Sequence, residues 1–214
     1  MRKRFGSLSR VDDTPLRTSH KLRDIAPGVE LWRIGQDRLT EYTSLFAEVY
    51  DRRFAFHRER NRREIRTEYA RLLERSVFLA MVKQGEIVTT GAGVFAFRRD
   101  LTPTLPRDVE SIFDLPALAN ELDAAEIWYM SRFATRPGAV SREEARAILT
   151  AAPLAMHECI KHDESNVIVS LMEAGIVRLY RRIGIHWNIL DTVEMPFGDG
   201  FRLHRAWIRA GDLT

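Results

Sequence analysis

Two kinds of hydrophobic pattern follow one another along the first part of the chain. Residues 29–34 alternate between apolar and polar side chains, as expected of a strand with one buried face. From 39 to 50 the apolar residues recur every three or four positions, which predicts an amphipathic helix. The apolar run 76–82 and the segment 86–97 flank Gly85, a residue suited to a tight turn, so they predict a β-hairpin.

Further strands and helices are predicted from the same periodicities. The predicted strands are 124–134, 167–171 and 201–208, and the predicted helices are 59–74, 109–118, 141–162 and 174–183. Ser141 followed by Glu144 is a capping-box pattern, which marks the start of a helix, and Gly184 is a residue type that ends one. This order predicts an α/β protein, a three-layer α/β/α sandwich with a mixed, mostly antiparallel sheet.

Residues 1–27 lack this periodicity. They are polar and begin with a basic cluster, so we expect a flexible basic N-terminal arm followed by a single domain at 28–214. Cys159 is the one cysteine of the chain, which rules out an internal disulfide and fits a reducing compartment. Because the sequence has no apolar run long enough to span a bilayer and no secretory signal, we expect a cytoplasmic protein.

The charged residues are informative about function only where they form local clusters. The net charge is +3, but arginines are concentrated at 52–66 and again at 178–182. Basic clusters are typical of proteins that bind nucleic acid or an acidic partner, whereas the glutamates interleaved at 59–68 are typical of a solvated helix face. A non-enzymatic, basic nucleic-acid-binding protein is therefore an alternative, although the chain has no helix-turn-helix or zinc-finger pattern.

The most informative motif lies in the predicted strand 124–134. Residues 128–133 read Trp-Tyr-Met-Ser-Arg-Phe, and residues 175–184 read Gly-Ile-Val-Arg-Leu-Tyr-Arg-Arg-Ile-Gly. Together they resemble the acyl-homoserine-lactone (autoinducer) synthases, in which a Trp-Glu-x-Ser-Arg-Phe strand precedes a similar helix. The resemblance covers roughly residues 40 to 190. It implies an acyl-CoA N-acyltransferase-like fold and an amide-forming acyltransferase that takes its acyl chain from acyl carrier protein.

Three positions depart from that pattern. Tyr129 stands where the synthases have a strand glutamate, Phe46 where they have an arginine, and Phe56 roughly where they have a tryptophan. Those residues serve S-adenosylmethionine recognition and lactone formation in the resembled family. The chain is similar in fold and donor-side features to the long-chain N-acyl-amino-acid synthases, so we expect the product to be an N-acyl amino acid or a related lipid signal. The alternative is a homoserine-lactone synthase that uses S-adenosylmethionine with a diverged amine site.

The acyl-donor site is expected between the strands through Ser131 and Ser170. The residues predicted to bind the donor are Ser131, Arg132, Phe133 and Ser170. By strand alternation Tyr129, Ser131 and Phe133 share one face of the sheet. A serine hydroxyl and backbone N–H groups could hold the thioester carbonyl, although a serine that merely packs in the sheet explains Ser131 equally well.

Two ionisable side chains complete the predicted catalytic set. Glu126 is a possible general base, because a strand glutamate is costly to bury unless it is paired or used; pairing with Arg132 is the structural alternative. Tyr180 resembles the helix tyrosine that protonates the leaving thiolate in the acetyltransferase superfamily, and a core aromatic residue is its alternative. The predicted catalytic residues are thus Glu126, Ser131 and Tyr180.

The two substrates are expected to bind on different residues. The predicted amine-substrate-binding residues are Tyr50, Phe54, Trp128 and Tyr129, and the predicted carrier-protein docking residues are Arg178 and Arg182. The loop 134–141 contains one glycine and a proline, which makes a poor backbone cradle for the pyrophosphate of coenzyme A. We therefore expect a phosphopantetheine arm on acyl carrier protein in preference to acyl-CoA, with no bound cofactor and no metal site.

Overall fold

The computed structural model describes residues 17–54, 67, 70, 76–98, 112–160, 165–194 and 202–213. Its strands are β1 (His20–Ala26), β2 (Val29–Arg33), β3 (Ser76–Lys83), β4 (Glu86–Arg98), β5 (Glu126–Thr135), β6 (Val167–Met172), β7 (Asn188–Glu194) and β8 (Arg202–Arg209). Its helices are α1 (Leu39–Phe54), α2 (Leu115–Glu121), α3 (Arg142–Ile160) and α4 (Ala174–Arg182). No helix in this described part is long and apolar enough to cross a membrane.

The strands form one mixed sheet. Their order is β1-β2-β3-β4-β5-β6-β8-β7, and every neighbouring pair is antiparallel except β5 and β6. Two parallel neighbours need a crossover connection, and α3 provides it. The predicted mixed, mostly antiparallel sheet is confirmed.

Helices cover both sides of this sheet. Tyr42 of α1 and Leu118 of α2 are buried with Tyr129 of β5 on one side, which we call the α1/α2 face. Ile148 of α3 and Tyr180 of α4 are buried on the other side, the α3/α4 face. Since consecutive strand residues point to opposite faces, both faces are apolar and β3 is buried over nearly its whole length. The predicted three-layer sandwich is confirmed.

The hairpin between β3 and β4 follows the prediction closely. Gln84 and Gly85 both have positive φ, 53° and 84°, as a two-residue turn that matches the twist of the strands requires. β4 ends at Arg98, one residue beyond the predicted limit. The turn chemistry of this short segment was therefore a reliable guide.

The predicted N-terminal arm does not extend to residue 27. His20–Ala26 forms β1, an edge strand that pairs antiparallel with β2. The pairing register shifts twice, between Lys21 and Arg23 and between Asp24 and Ala26. Such bulges break the two-residue alternation, and Leu22 and Ile25 both pack against the α3/α4 face. A strand with this spacing has no regular hydrophobic pattern to recognise.

Two further boundaries differ from the prediction. α2 begins at Leu115 rather than at 109, because Asp114 caps it by accepting a hydrogen bond from the Ala117 N–H at 3.1 Å. β7 was not predicted as a separate strand. It lies at the sheet edge with its side chains largely exposed and carries a register shift between Ile189 and Asp191. The predicted helix at 59–74 lies outside the described residues except at 67 and 70.

Candidate active site

The parallel strands β5 and β6 separate part of the way along their length. Their last paired residues are Tyr129 and Val169, although β5 continues to Thr135 and β6 to Met172. We call this position the branch point. Beyond it, in the described part of the chain, the two strands have no backbone pairing with each other. Polar backbone groups inside a sheet are normally paired, so a gap here is a place where a ligand can form the missing hydrogen bonds.

Ser170 marks the branch point from the β6 side. Its buried hydroxyl donates a hydrogen bond to the Met130 carbonyl at 2.8 Å, and so joins the two strands just where backbone pairing stops. The proton of this hydroxyl is thereby committed to the protein. The predicted role of Ser170 in binding the acyl donor stays a prediction.

β5 carries a bulge just past the branch point. Thr90 pairs with Ala134 and Ala92 with Ser131, so two β5 residues lie opposite Gly91 alone. The extra residue reverses the alternation. Phe133 consequently packs on the α3/α4 face, whereas Tyr129 is buried on the α1/α2 face. The expectation that Phe133 shares a face with Tyr129 is wrong, because simple alternation assumes that no residue is inserted.

Gly91 makes room for this bulge. A Cβ atom built on Gly91 would lie 3.0 Å from Cε1 of the Phe133 ring, tighter than nine in ten real Cβ contacts. The Tyr42 hydroxyl donates a hydrogen bond to the Gly91 carbonyl at 2.8 Å and holds the backbone in place. A glycine is therefore needed here for close approach of an aromatic ring.

Ser131 lies beside this bulge with an unused hydroxyl. Its Oγ atom is enclosed and has no hydrogen-bond partner in the described part of the chain. By alternation it lies on the α1/α2 face with Tyr129, whose ring centroid is 6.3 Å from that of Phe113. Leaving a buried hydroxyl unpaired costs about 1–3 kcal/mol. This cost points to a ligand that the hydroxyl would bind.

Tyr180 is buried on the opposite face of the sheet. It is 1% exposed and shares the α3/α4 face with Trp128 and Met130. Burial raises the pKa of its phenol well above its usual range, so the hydroxyl is neutral at any physiological pH. The structure places Ser131 and Tyr180 on opposite sides of the sheet.

Glu126 lies away from these residues, at the start of β5. Its carboxylate accepts a hydrogen bond from the Trp128 indole at 3.3 Å. It precedes Ser131 by five strand residues, a separation of about 17 Å. The structure does not bring Glu126 together with Ser131, and its role as a base stays a prediction.

The predicted amine-binding residues are divided by the sheet or lie outside the description. Trp128 and Tyr129 are adjacent on β5 and are therefore buried on opposite faces. The side chains of Tyr50 and Phe54 lie outside the described part of the structure, as does that of Arg132. Tyr129 thus remains as the described member of this set on the α1/α2 face.

Backbone N–H groups at the start of α3 are already hydrogen-bonded to nearby side chains. The Ser141 N–H donates to a Glu144 carboxylate oxygen at 2.6 Å, and the Glu144 N–H donates to the Ser141 hydroxyl at 3.1 Å. This confirms the predicted capping box. Lys83 pairs with the same carboxylate at 2.9 Å, and its hydrogen bond is the main reason that the pKa of Glu144 is lowered. An ionised carboxylate therefore already occupies this helix N-terminus.

The predicted docking arginines lie on the outer side of α4. Arg178 and Arg182 are exposed and one helical turn apart, and Arg181 beside them is exposed as well. Within the described residues none of the three forms an ion pair. They also lie toward the C-terminus of α4, where positive charge favours the helix dipole.

Arg205 is a residue of this region that the sequence reasoning missed. Its guanidinium binds the Asp191 carboxylate through two nitrogens, with Nε–Oδ1 at 2.6 Å, and donates to the Ile112 carbonyl at 2.6 Å. It also lies 6.0 Å from the centre of the Phe113 ring. The pair raises the pKa of Arg205 and lowers that of Asp191. The alternation in β8 was the available signal, since it places Arg205 and Trp207 on one face.

The described residues contain no group of three or more histidine, cysteine, aspartate or glutamate side chains that could hold a metal ion. His157 and Cys159 belong to α3, but their side chains lie outside the described part of the structure. At the branch point the described chain offers the Ser131 hydroxyl, a hydrogen-bond donor without a partner among the described residues. Such donors can bind and polarise a carbonyl group.

No protein-family model matches this sequence, and no curated protein matches it. Solved structures do match. A yellow fever mosquito protein assigned as arylalkylamine N-acetyltransferase 7 aligns with a TM-score of 0.61 at 11% identity, over 90% of this chain and 93% of that one. FeeM, an N-acyl amino acid synthase from uncultured soil microbes, aligns with a TM-score of 0.55 at 12% identity, over 94% of both chains.

The AHL synthase LasI aligns with a TM-score of 0.53 at 16% identity, over 88% of this chain and 89% of that one. Such identities establish the fold and leave the activity open. The chain has the acetyltransferase-like (GNAT) fold, as the resemblance implied.

Proposed function

We propose that the protein is an N-acyltransferase that moves a fatty acyl chain from acyl carrier protein to the amine of an amino acid or a related small molecule. The observation that carries this proposal is the gap between β5 and β6, with the partnerless Ser131 hydroxyl beside it. A gap between strands admits a slender acyl-thioester arm, and the unused donors beside it suit the thioester carbonyl. The likeness to N-acyltransferases of the same fold supports this choice.

The chemistry follows from the positions of the donors. The amine nitrogen attacks the thioester carbonyl, so a C–N bond forms and the C–S bond breaks. The Ser131 hydroxyl donates a hydrogen bond to the oxygen that becomes negative in the tetrahedral intermediate. The proton lost by the amine balances the thiolate that leaves. Glu126, about 17 Å from Ser131 along β5, is too far away to receive that proton, which passes to the leaving thiolate.

Tyr180 assists the leaving sulfur. Its raised pKa makes it a weak acid but a stable hydrogen-bond donor. A free thiol has a pKa near 8.5, so proton transfer from the phenol to the thiolate is uphill by more than about one pKa unit. We therefore assign Tyr180 the role of donating a hydrogen bond to the thiolate, which is protonated from the amine side.

The donor is a carrier-bound phosphopantetheine arm. Coenzyme A would place its pyrophosphate at the start of α3, where free N–H groups and a positive dipole bind anions. In this chain the Ser141 and Glu144 N–H groups are occupied by the capping box, and the Glu144 carboxylate repels a second anion. A carrier protein brings its arm without that nucleotide. Its acidic surface complements Arg178 and Arg182 on α4.

The amine binds on the α1/α2 face. The aromatic pair of Phe113 and Tyr129 offers it an apolar wall beside the branch point. With the donor arm entering from the α3/α4 side, the two substrates meet at the gap. Homoserine-lactone synthesis remains the second possibility, and the product distinguishes the two.

The test is product analysis with defined substrates. Purified protein is incubated with acyl carrier proteins of several chain lengths and a panel of amino acids and S-adenosylmethionine, and products are identified by mass spectrometry. We expect an N-acyl amino acid. A homoserine lactone would establish the second possibility, equal rates with acyl-CoA would contradict the donor assignment, and no acylated product with any amine would refute the proposed function.

A matched pair of serine variants tests the site. Ser131→Ala removes the proposed carbonyl donor and should lower the rate by roughly 10²-fold. Ser76 also has a buried hydroxyl with no partner in the described residues, but it lies on β3, two strands away from β5. Ser76→Ala should leave the rate unchanged. Equal losses in both variants would mean that Ser131 acts through stability alone.

A further inference from the structure

The indole of Trp187 is a buried hydrogen-bond donor that the mechanism above does not use. Trp187 immediately precedes β7 and is 6% exposed. Its Nε1 atom is enclosed, and no acceptor for it exists among the residues that the structure describes. An indole N–H can only donate a hydrogen bond, so this group requires an oxygen or sulfur atom that the described chain does not supply.

Two other indoles in the same protein show how this need is normally met. The Trp32 Nε1–H donates to Glu30 at 2.8 Å, and the Trp128 Nε1–H donates to Glu126 at 3.3 Å. In both cases the glutamate is two residues earlier on the same strand, and hence on the same face. At the corresponding position before Trp187 the chain has Ile185, which is apolar and buried. The sequence therefore provides Trp187 with no acceptor at the position from which glutamates serve the other two indoles.

Unpaired buried donors are rare in folded proteins, and each one needs a reason. The surroundings of Trp187 supply one. Its ring centroid is 5.9 Å from that of Tyr180, whose phenol is also buried and neutral. Both rings belong to the α3/α4 face, which Met130 shares at the branch point. Two donors with apolar neighbours form an environment suited to a carbonyl oxygen and unsuited to a cation.

We propose that Trp187 is a binding residue of the acyl-donor site, whose Nε1–H donates a hydrogen bond to a carbonyl oxygen of the acyl-pantetheine arm beside Tyr180. This assignment rests on the proposed function, because it takes the arm to enter from the α3/α4 side. The N–H has no contact with solvent, so the arm reaches it by displacing the apolar side chains that now enclose it. Binding must therefore change the environment of this one indole.

Nuclear magnetic resonance can observe that change directly. The chain has four tryptophans, which give four indole N–H signals, and the signal missing from Trp187→Phe identifies the relevant one. We expect a stable S-octanoyl-pantetheine analogue, with the reactive thioester replaced by an amide, to move that signal downfield and to slow its hydrogen exchange. The Trp32 indole, already bonded to Glu30, should not move.

Kinetics give a second measurement. In Trp187→Phe we expect the KM for acyl carrier protein to rise roughly 3- to 10-fold, the range of one hydrogen bond, with the KM for the amine unchanged. Trp32→Phe is the matched control and should leave both values as they are. If Trp187→Phe fails to fold, the variants Trp32→Phe, Trp128→Phe and Trp207→Phe identify the Trp187 signal by elimination, and that signal in the unaltered protein still decides.

The outcomes separate the two claims. Movement of the Trp187 signal without any amide product would refute the proposed function and support the binding role. Amide formation with the Trp187 signal unmoved by a bound analogue would refute the binding role and leave the proposed function intact. An analogue that does not bind at millimolar concentration would overturn the binding role, and product analysis would still judge the function.

Discussion

Gly91→Ala should destabilise the protein, because the new side chain would crowd the β5 bulge. The new Cβ would lie 3.0 Å from Cε1 and 3.2 Å from Cζ of the Phe133 ring. The backbone cannot easily retreat, because the Tyr42 hydroxyl holds the Gly91 carbonyl at 2.8 Å. A cavity of about 10 Å³ borders the ring, which is barely the space of one water and too small for a displaced phenyl group. Overpacking of this kind costs about 1–3 kcal/mol.

The assay for this variant is thermal and denaturant unfolding. At about 2–4 °C per kcal/mol for a domain of this size, the melting temperature should fall by roughly 2–12 °C. Gly175→Ala in α4 is the matched control, since a Cβ there meets nothing within 4 Å. It should be neutral or stabilising by up to about 1 kcal/mol.

Relief of the clash gives the decisive comparison. Phe133→Leu removes the ring atoms that the added methyl group of Gly91→Ala would meet, so the double variant should be more stable than the sum of its parts by about 0.5–3 kcal/mol. Effects that add within about 0.5 kcal/mol would refute the claim that Gly91 is required by the ring. The claim would also be refuted if Gly91→Ala alone were as stable as the parent protein.

Three further predictions concern the residues around the gap. In the folded protein the pKa of Tyr180 lies above its unfolded value near 10. The contribution of its neutral form to the free energy of unfolding is therefore complete below about pH 10. As the pH rises further, this contribution is lost by about 1.4 kcal/mol per pH unit. Urea unfolding between pH 9 and 12 should show a shallower decline for Tyr180→Phe, and parallel curves would contradict the burial argument. Arg205→Met and Arg209→Met leave the backbone carbonyls of Ile112 and Leu122, respectively, without these donors, so each should cost about 1–3 kcal/mol. Only Arg205→Met should also raise the KM for the amine, because the Arg205 guanidinium lies over the Phe113 ring of the proposed amine site. Equal amine KM values in both variants would show that Arg205 has a purely structural role. Ser141→Ala removes the cap of α3 and should cost about 0.5–2 kcal/mol by denaturant unfolding, with an undiminished stability contradicting the capping role.

Local chemistry was what made parts of this fold predictable. The hairpin turn was predictable because Gly85 tolerates positive φ without steric cost. The start of α3 was predictable because Ser141 and Glu144 satisfy each other's N–H groups without help from the rest of the chain. The crossover between parallel strands then follows from the order of elements.

Register was what the sequence could not reveal. Alternation assigns faces correctly only while each residue has one partner, and β1, β5 and β7 all contain shifts. At the β5 bulge the decisive interaction joins Gly91 to Phe133, which are 42 positions apart in the sequence. A local pattern contains no information about such a contact. The face of Phe133 was therefore predicted wrongly, although the strand itself was predicted correctly.

The residue types of the candidate site could be predicted from the sequence, but which of their polar groups lack hydrogen-bond partners could not. Ser131 and Tyr180 stood out because of the motifs around them, but only the structure shows that Ser131 lacks a partner among the described residues while Ser170 has one. Trp187 carried a sequence signal, since Glu30 and Glu126 precede two other indoles, those of Trp32 and Trp128, by two residues. The absence of a glutamate at 185 becomes meaningful only once burial of the indole is known.

The two faces of the sheet also constrain how acyl transfer can proceed under the proposed function. Ser131 lies beside the branch point on one side of the sheet, and Tyr180 is buried on the other side. Under the proposed function, one thioester in the gap is polarised from one side while its sulfur is assisted from the other. An acyl-serine intermediate would need a base next to Ser131, but its hydroxyl has no partner among the described residues. Under the proposed function we therefore expect direct transfer, with donor and amine bound together. That requirement explains why the strands separate here, since a thioester in the gap is reachable from both faces at once.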